Sequence, residues 1–87
     1  MKKVLVAVYD SVADEFGAPV ADVNTASAVR AFTHAIGQGD SNLAPVARDI
    51  VLFHIGYYDT VTGRIESFDS EIQLMRGADC MLARKEA

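Results

Sequence analysis

Ile50-Val51-Leu52-Phe53-His54-Ile55-Gly56-Tyr57-Tyr58 reads as the strongest strand in the chain. It is built from β-branched and aromatic residues, which fit a pleated, half-buried surface. Strict alternation puts Phe53 and Tyr57 on one face and His54 and Tyr58 on the other. Gly56 inside the run marks a bulge or a close approach of another backbone. Asp59-Thr60-Val61-Thr62-Gly63 follows as turn material, and Arg64-Ile65-Glu66-Ser67-Phe68 alternates and pairs back as the second arm of a hairpin.

Upstream of that strand lies one clear helix. Val29, Phe32 and Ile36 are spaced for a single helical face, and Ala28, Ala31 and Ala35 widen the stripe. Asn24 supplies an N-cap and Gly37 stands where a C′ glycine would end the helix, so the spacing predicts a helix over Thr25 to Ile36. Arg30 falls near the edge of the buried stripe. Between this helix and the strand, residues 38–47 are polar, with Gly and Pro, and read as a loop. At the start, Lys3-Val4-Leu5-Val6-Ala7-Val8-Tyr9 is a strand apolar on both faces, as suits a central position. Gly17 and Pro19 argue against a helix in residues 10–23, where Phe16 and Val20 anchor a loop or a short strand. Towards the end, Ile72, Met75, Asp79 and Leu82 recur at helical spacing, with Leu74, Ala78 and Met81 adjacent. This predicts a short amphipathic C-terminal helix interrupted at Gly77.

The expected fold is therefore α+β: a three- to four-stranded, mostly antiparallel sheet with one helix packed on one face and a short C-terminal helix. Residues 1–87 are expected to form a single domain. The sheet's second face is not polar, so a second subunit or the C-terminal segment is expected to cover it. A chain of 87 residues buries only about 60–65% of its unfolded surface, and such domains commonly gain stability from disulfides, metals or partners. Cys80 is the single cysteine, so no intrachain disulfide forms. His34 and His54 are far apart and have no second ligand nearby. Self-association, as a homodimer, remains.

Apolar residues make up 51% of the chain and charged ones 23%, an ordinary globular balance that excludes disorder. The run Val4 to Val8 is too short for a membrane span or a signal-peptide core, and a lone cysteine fits a reducing compartment. The net charge is −4, from 12 acidic residues against 8 Lys and Arg. That sign counts against strong phosphate binding, whose affinity comes from a basic excess.

Asn24-Thr25-Ala26-Ser27-Ala28-Val29-Arg30-Ala31-Phe32, then Asp49-Ile50-Val51-Leu52-Phe53-His54-Ile55-Gly56, then Tyr58-Asp59 and Thr62-Gly63, form a recognisable series over about the first 68 residues. Its order and spacing resemble the small nonstructural proteins of gokushovirus-type microviruses, which are single-stranded DNA phages. The opening strand ending near an acid, Val4 to Asp10, matches as well. The chain departs from that pattern before the central strand. Pro45-Val46-Ala47-Arg48-Asp49 keeps the Asp but displaces the proline and lacks the family's His and Glu. The resemblance implies a nonstructural protein of the host cytoplasm that assists synthesis or packaging of a single-stranded genome.

The candidate nucleic-acid residues are Arg30, Lys2, Lys3, Tyr57 and Arg64. Arg30 stands at the matching family position, where it either contacts phosphate or pairs with Asp49 or Asp10. Tyr9, Phe53, Tyr57 and Tyr58 are strand-borne aromatics of the type that stack on bases beside cations, and equally of the type that fill a core or a dimer interface. Lys2-Lys3 and Arg84-Lys85 form a basic patch if the two ends meet. No catalytic residue, metal or cofactor is implied: Cys80 has no base at a telling spacing, and Gly37-Gln38-Gly39-Asp40 lacks the residues of a phosphate loop. Asp10, Asp14 and Glu15 read as a solvated acidic loop. The expectation is a non-enzymatic binding protein that engages single-stranded DNA weakly. The alternative is a module that contacts phage or host replication and packaging proteins without touching DNA.

Overall fold

A computed structural model describes residues 1–38 and 43–80. Its elements in chain order are β1 (Lys2–Asp10), β2 (Glu15–Phe16), β3 (Val20–Asp22), α1 (Thr25–Gln38), a 3-10 helix (Ala44–Asp49), β4 (Ile50–Asp59) and β5 (Ile65–Arg76). The sheet is antiparallel throughout. Its order is β2-β1-β4-β5, with β3 also pairing β1. β2 and β3 are two pieces of one broken strand, both on the same flank of β1. Gly17 and Pro19 lie in the break, where the Gly17 amide donates to the Val8 carbonyl at 2.8 Å. The expected α+β sheet with one helix on one face is therefore present, with the loop of residues 10–23 contributing the extra strands.

α1 packs on the sheet face that carries Val4, Val6, Ile50 and Leu52. Ala28, Phe32 and Ile36 from the helix meet them, joined by Ala47 and Cys80. Each fully buried large apolar side chain there contributes about 1.5–3 kcal/mol. Asn24 caps the helix as its sequence position implies: its Oδ1 accepts from the Ser27 amide at 2.8 Å. The helix does not stop at Gly37, however, but runs on to Gln38. The region read as loop also needs correction, because residues 44–49 wind into a 3-10 helix with Pro45 in its first turn and Ala47 buried.

The strict alternation expected along β4 is broken. Val6 pairs with His54 but Leu5 pairs with Gly56, so Ile55 is an extra residue in β4. A bulge of this kind resets the side-chain parity. His54 and Tyr57 consequently share the helix-side face, while Phe53 and Tyr58 share the other. Gly56 meets both halves of its expectation: it sits beside the bulge, and a Cβ there would stand 2.2 Å from the Glu66 carbonyl oxygen. The C-terminal helix also starts later than expected. Ile72, Leu74 and Met75 belong to β5, and helix begins at Gly77, where the sequence suggested an interruption. Leu82, Arg84 and Lys85 lie outside the described residues.

The β4–β5 turn is fixed by its own acid. Asp59 Oδ1 accepts from the Val61 amide at 2.8 Å and from the Thr62 amide at 3.4 Å. Gly63, at φ 75°, supplies the left-handed residue that turns the chain back. The two backbone bonds to the ionised carboxylate hold the Asp59 pKa below its ordinary value. A depressed folded-state pKa stabilises fully above the unfolded value, and that stability is lost as pH falls through the folded value. Asp59→Ala is expected to lower the urea midpoint at neutral pH. Asp59→Asn keeps an acceptor and should sit closer to wild type there, with a flatter fall below about pH 4. Urea titrations across pH check both outcomes.

Candidate nucleic-acid interface

The antiparallel register of β1 with β4 sets Lys2 opposite Asp59, and that of β4 with β5 sets Tyr57 opposite Glu66. These pairings gather Lys2, Tyr57, Asp59, Thr62, Arg64, Ile65 and Glu66 around one open recess of about 470 Å³ at the hairpin end of the sheet. Three of the five expected residues, Lys2, Tyr57 and Arg64, therefore converge. Tyr57 is half-buried in a cluster of edge-on rings, 5.2 Å from His54 and 5.4 Å from Phe68 between centroids. His54 is buried, and its Nε2 donates to the Gly56 carbonyl at 3.0 Å. Lys2 Nζ stands 5.8 Å from the Tyr57 ring centre and 3.5 Å from Glu66 Oε2. Both partners of that ion pair are exposed, so it holds Lys2 only weakly and a phosphate can compete for it. The recess is electrically balanced, with Lys2 and Arg64 against Asp59 and Glu66.

The other two expected residues lie elsewhere. Lys3 pairs with Tyr58 and shares its face, opposite to that of Lys2. Arg30 is exposed on α1 and lines a separate shallow recess with Val23, Asn24, Ala26 and Ser27. Its expected pairing with Asp49 or Asp10 is absent: the ion pairs among the described residues are Lys2–Glu66 and Arg76–Asp79. Asp10 instead caps its own turn, accepting from the Val12 and Ala13 amides at 2.9 and 3.2 Å.

Asp59, Thr62, Ile65 and Glu66 also line the recess, and Phe68 packs against the Tyr57 ring, although none of them is among the expected site residues. Their signal was the hairpin itself, since any residue flanking that turn must approach the start of whichever strand pairs with β4.

The model of the Phage ORF5 protein family matches residues 3–80. The chain belongs to that family. The Phage ORF5 match runs through β5 to Cys80, past residue 68 where the resemblance seen in the sequence faded. No curated protein and no solved structure matches the chain.

In this Phage ORF5 chain the remaining reactive groups have structural surroundings. Cys80 is buried and its Sγ donates towards Thr33 Oγ1 at 3.6 Å and the Arg76 carbonyl at 3.7 Å. Asp14 accepts a hydrogen bond from the Tyr9 hydroxyl and pushes that phenol's pKa up. Among the described residues, no three His, Cys, Asp or Glu side chains are grouped to hold a metal ion. No helix among them is long and apolar enough to cross a membrane.

Proposed function

We propose that this phage protein acts in the host cytoplasm, as a non-enzymatic homodimer, on synthesis or packaging of the single-stranded phage genome, and that it holds single-stranded DNA weakly at the Lys2–Tyr57–Arg64 recess. The observation that carries this reading is the convergence of two cations and an aromatic ring on one open concavity. Cations beside an aromatic are what a base and its phosphate need from a sequence-tolerant site. The recess volume also lies within the range of small-ligand sites, about 300–1,000 Å³. Asp59 and Glu66 in the same wall limit the affinity. Dissociation constants on the order of 10⁻⁴–10⁻⁶ M near physiological salt are expected.

Fluorescence anisotropy with a labelled oligothymidylate tests the reading across a salt series. Affinity is expected to fall as salt rises, and Lys2→Ala and Arg64→Ala should each flatten the log–log slope by about 0.7. Glu66→Gln should tighten binding about threefold, which is the Coulomb energy of one charge at roughly 6 Å in water. Arg30→Ala should leave the curve unchanged. Loss of binding in Arg30→Ala alone would move the site to the helix.

A second reading rests on the net charge of −4 and the two recess acids. In it the chain contacts phage or host replication and packaging proteins and no DNA. Absence of binding at low salt leaves that reading in place of the first.

A further inference from the structure

The face of the sheet turned away from α1 carries a second aromatic cluster. Tyr9, Phe16 and Phe53 have ring centroids 5.1–6.5 Å apart. The pairings Tyr9 with Phe16, Ala7 with Phe53 and Lys3 with Tyr58 put these side chains, with Leu5 and Ala7, on one face. Leu5 and Ala7 are buried yet stand outside the helix-side core. No described element packs over this face, and Phe16 remains 40% exposed. The last described residue, Cys80, is buried in the core on the opposite side.

We infer that this face, centred on Phe53 and Phe16, is where a second copy of the chain docks, sheet against sheet. The inference supplies the surface for the homodimer proposed above and is independent of the DNA site. Three observations favour a second copy.

The first is charge polarity along β1. Lys3 stands at one end of the face, and the turn bearing Asp14 stands at the other, against Tyr9. A two-fold axis lying in the plane between the two faces, perpendicular to β1, makes the two β1 strands antiparallel and lays each Lys3 end over the partner's acidic turn, so one surface complements itself. The second is size. Four strand widths across and nine residues along β1 give a footprint of roughly 550 Å². Protruding rings raise the accessible area above that footprint. A pair of such faces therefore clears the roughly 1,000 Å² that a specific interface needs, in the aligned packing of β-sandwiches. The third is that the competing route is blunted. Edge-to-edge pairing through β5 meets Glu66, Asp69 and Glu71 and the four extra residues between Ser67 and Ile72. The opposite edge is broken at Gly17 and Pro19.

Because the recess of Lys2, Tyr57 and Arg64 opens towards the helix side and the hairpin end, such a dimer carries two of them, both outward.

Sedimentation equilibrium of the full chain over a concentration series is the test. The wild type is expected at twice 9.4 kDa. Phe53→Glu and Phe16→Glu should each raise the dimer dissociation constant about 30-fold or more, as for a charge placed at an interface centre. Phe16→Glu keeps the result interpretable if Phe53→Glu misfolds, since Phe16 is already exposed, and circular dichroism checks the fold of each. Ile72→Glu, on the β5 edge, should leave the mass at the dimer value. A wild-type monomer at 100 micromolar overturns the inference. So does a dimer broken by Ile72→Glu but not by Phe16→Glu. The Lys2→Ala, Arg64→Ala double variant should remain dimeric, so a failure of the DNA reading and a failure of this one stay distinguishable.

Discussion

Gly56→Ala is expected to be among the most damaging methyl additions to this chain. The new Cβ would stand 2.2 Å from the Glu66 carbonyl oxygen and 3.1–3.2 Å from the neighbouring carbonyl carbon and Ser67 Cα. All three are backbone atoms of β5, so no side chain can swing aside. Relief requires β5 to move off β4 at the register that holds Gly56 against Ser67 and Tyr57 against Glu66. Overpacking of this kind costs about 3 kcal/mol. For a domain of this size each kcal/mol shifts the melting temperature by about 4–8 °C. A fall of roughly 15 °C is therefore expected in calorimetry. The displaced strand carries Glu66 and follows the turn bearing Arg64, so the recess is distorted as well. A folded Gly56→Ala protein with unchanged melting would mean that the two strands are not this close.

Ile36→Ala is the second large effect. Ile36 is 1% exposed, and with Cys80 it is among the largest fully buried side chains. It lies in the last turns of α1 within the cluster that includes Phe32, Leu52 and Ala47. Removing three carbons there loses their transfer energy and leaves a cavity, a cost of about 3–4 kcal/mol. Ile36→Val removes one carbon and should cost about 1 kcal/mol. Urea unfolding monitored by circular dichroism ranks the three proteins, and the ratio between the variants identifies packing as the cause. Since α1 covers only the helix-side face, neither substitution touches the Phe16–Phe53 cluster.

An undisturbed side-chain period makes both the extent and the buried face of an element legible in the sequence, as in α1. β4, with its extra Ile55, is legible as a strand but not in which residues share a face. α1 shows its stripe of Val29, Phe32 and Ile36, widened by Ala28, and its Asn24 cap. The structure buries Ala28, Phe32 and Ile36, packs Val29 half-buried against them, and has the cap. β5 was misread beyond Phe68 for a physical reason. Met75 pairs with Leu52 but Gln73 pairs with Phe53, so Leu74 is an extra residue. This bulge places Ile72 and Met75 on the same face three residues apart, which imitates helical spacing. The extra Ile55 does the same to His54 and Tyr57. A bulge follows from how two strands meet, and neither strand's own sequence announces it. Gly56 was the one local sign, and it pointed to the correct place.

The site was legible as residue types and not as an arrangement. Lys2, Tyr57 and Arg64 were named separately, and only the register of β1 on β4 and β4 on β5 brings them to one recess. Arg30 and Lys3 were named on equal grounds and lie apart from it. The resemblance seen in the sequence pointed to a small phage protein family, which the Phage ORF5 match bears out.

The most direct test is a titration of isotope-labelled protein with a short oligothymidylate at low salt, followed by amide chemical-shift mapping. The recess reading predicts progressive shifts concentrated at Lys2, Tyr57, Thr62, Arg64 and Glu66, with Arg30 and the strand residues around Phe53 unmoved. Shifts centred on Tyr9, Phe16 and Phe53, or a spectrum that does not respond at all, would contradict it.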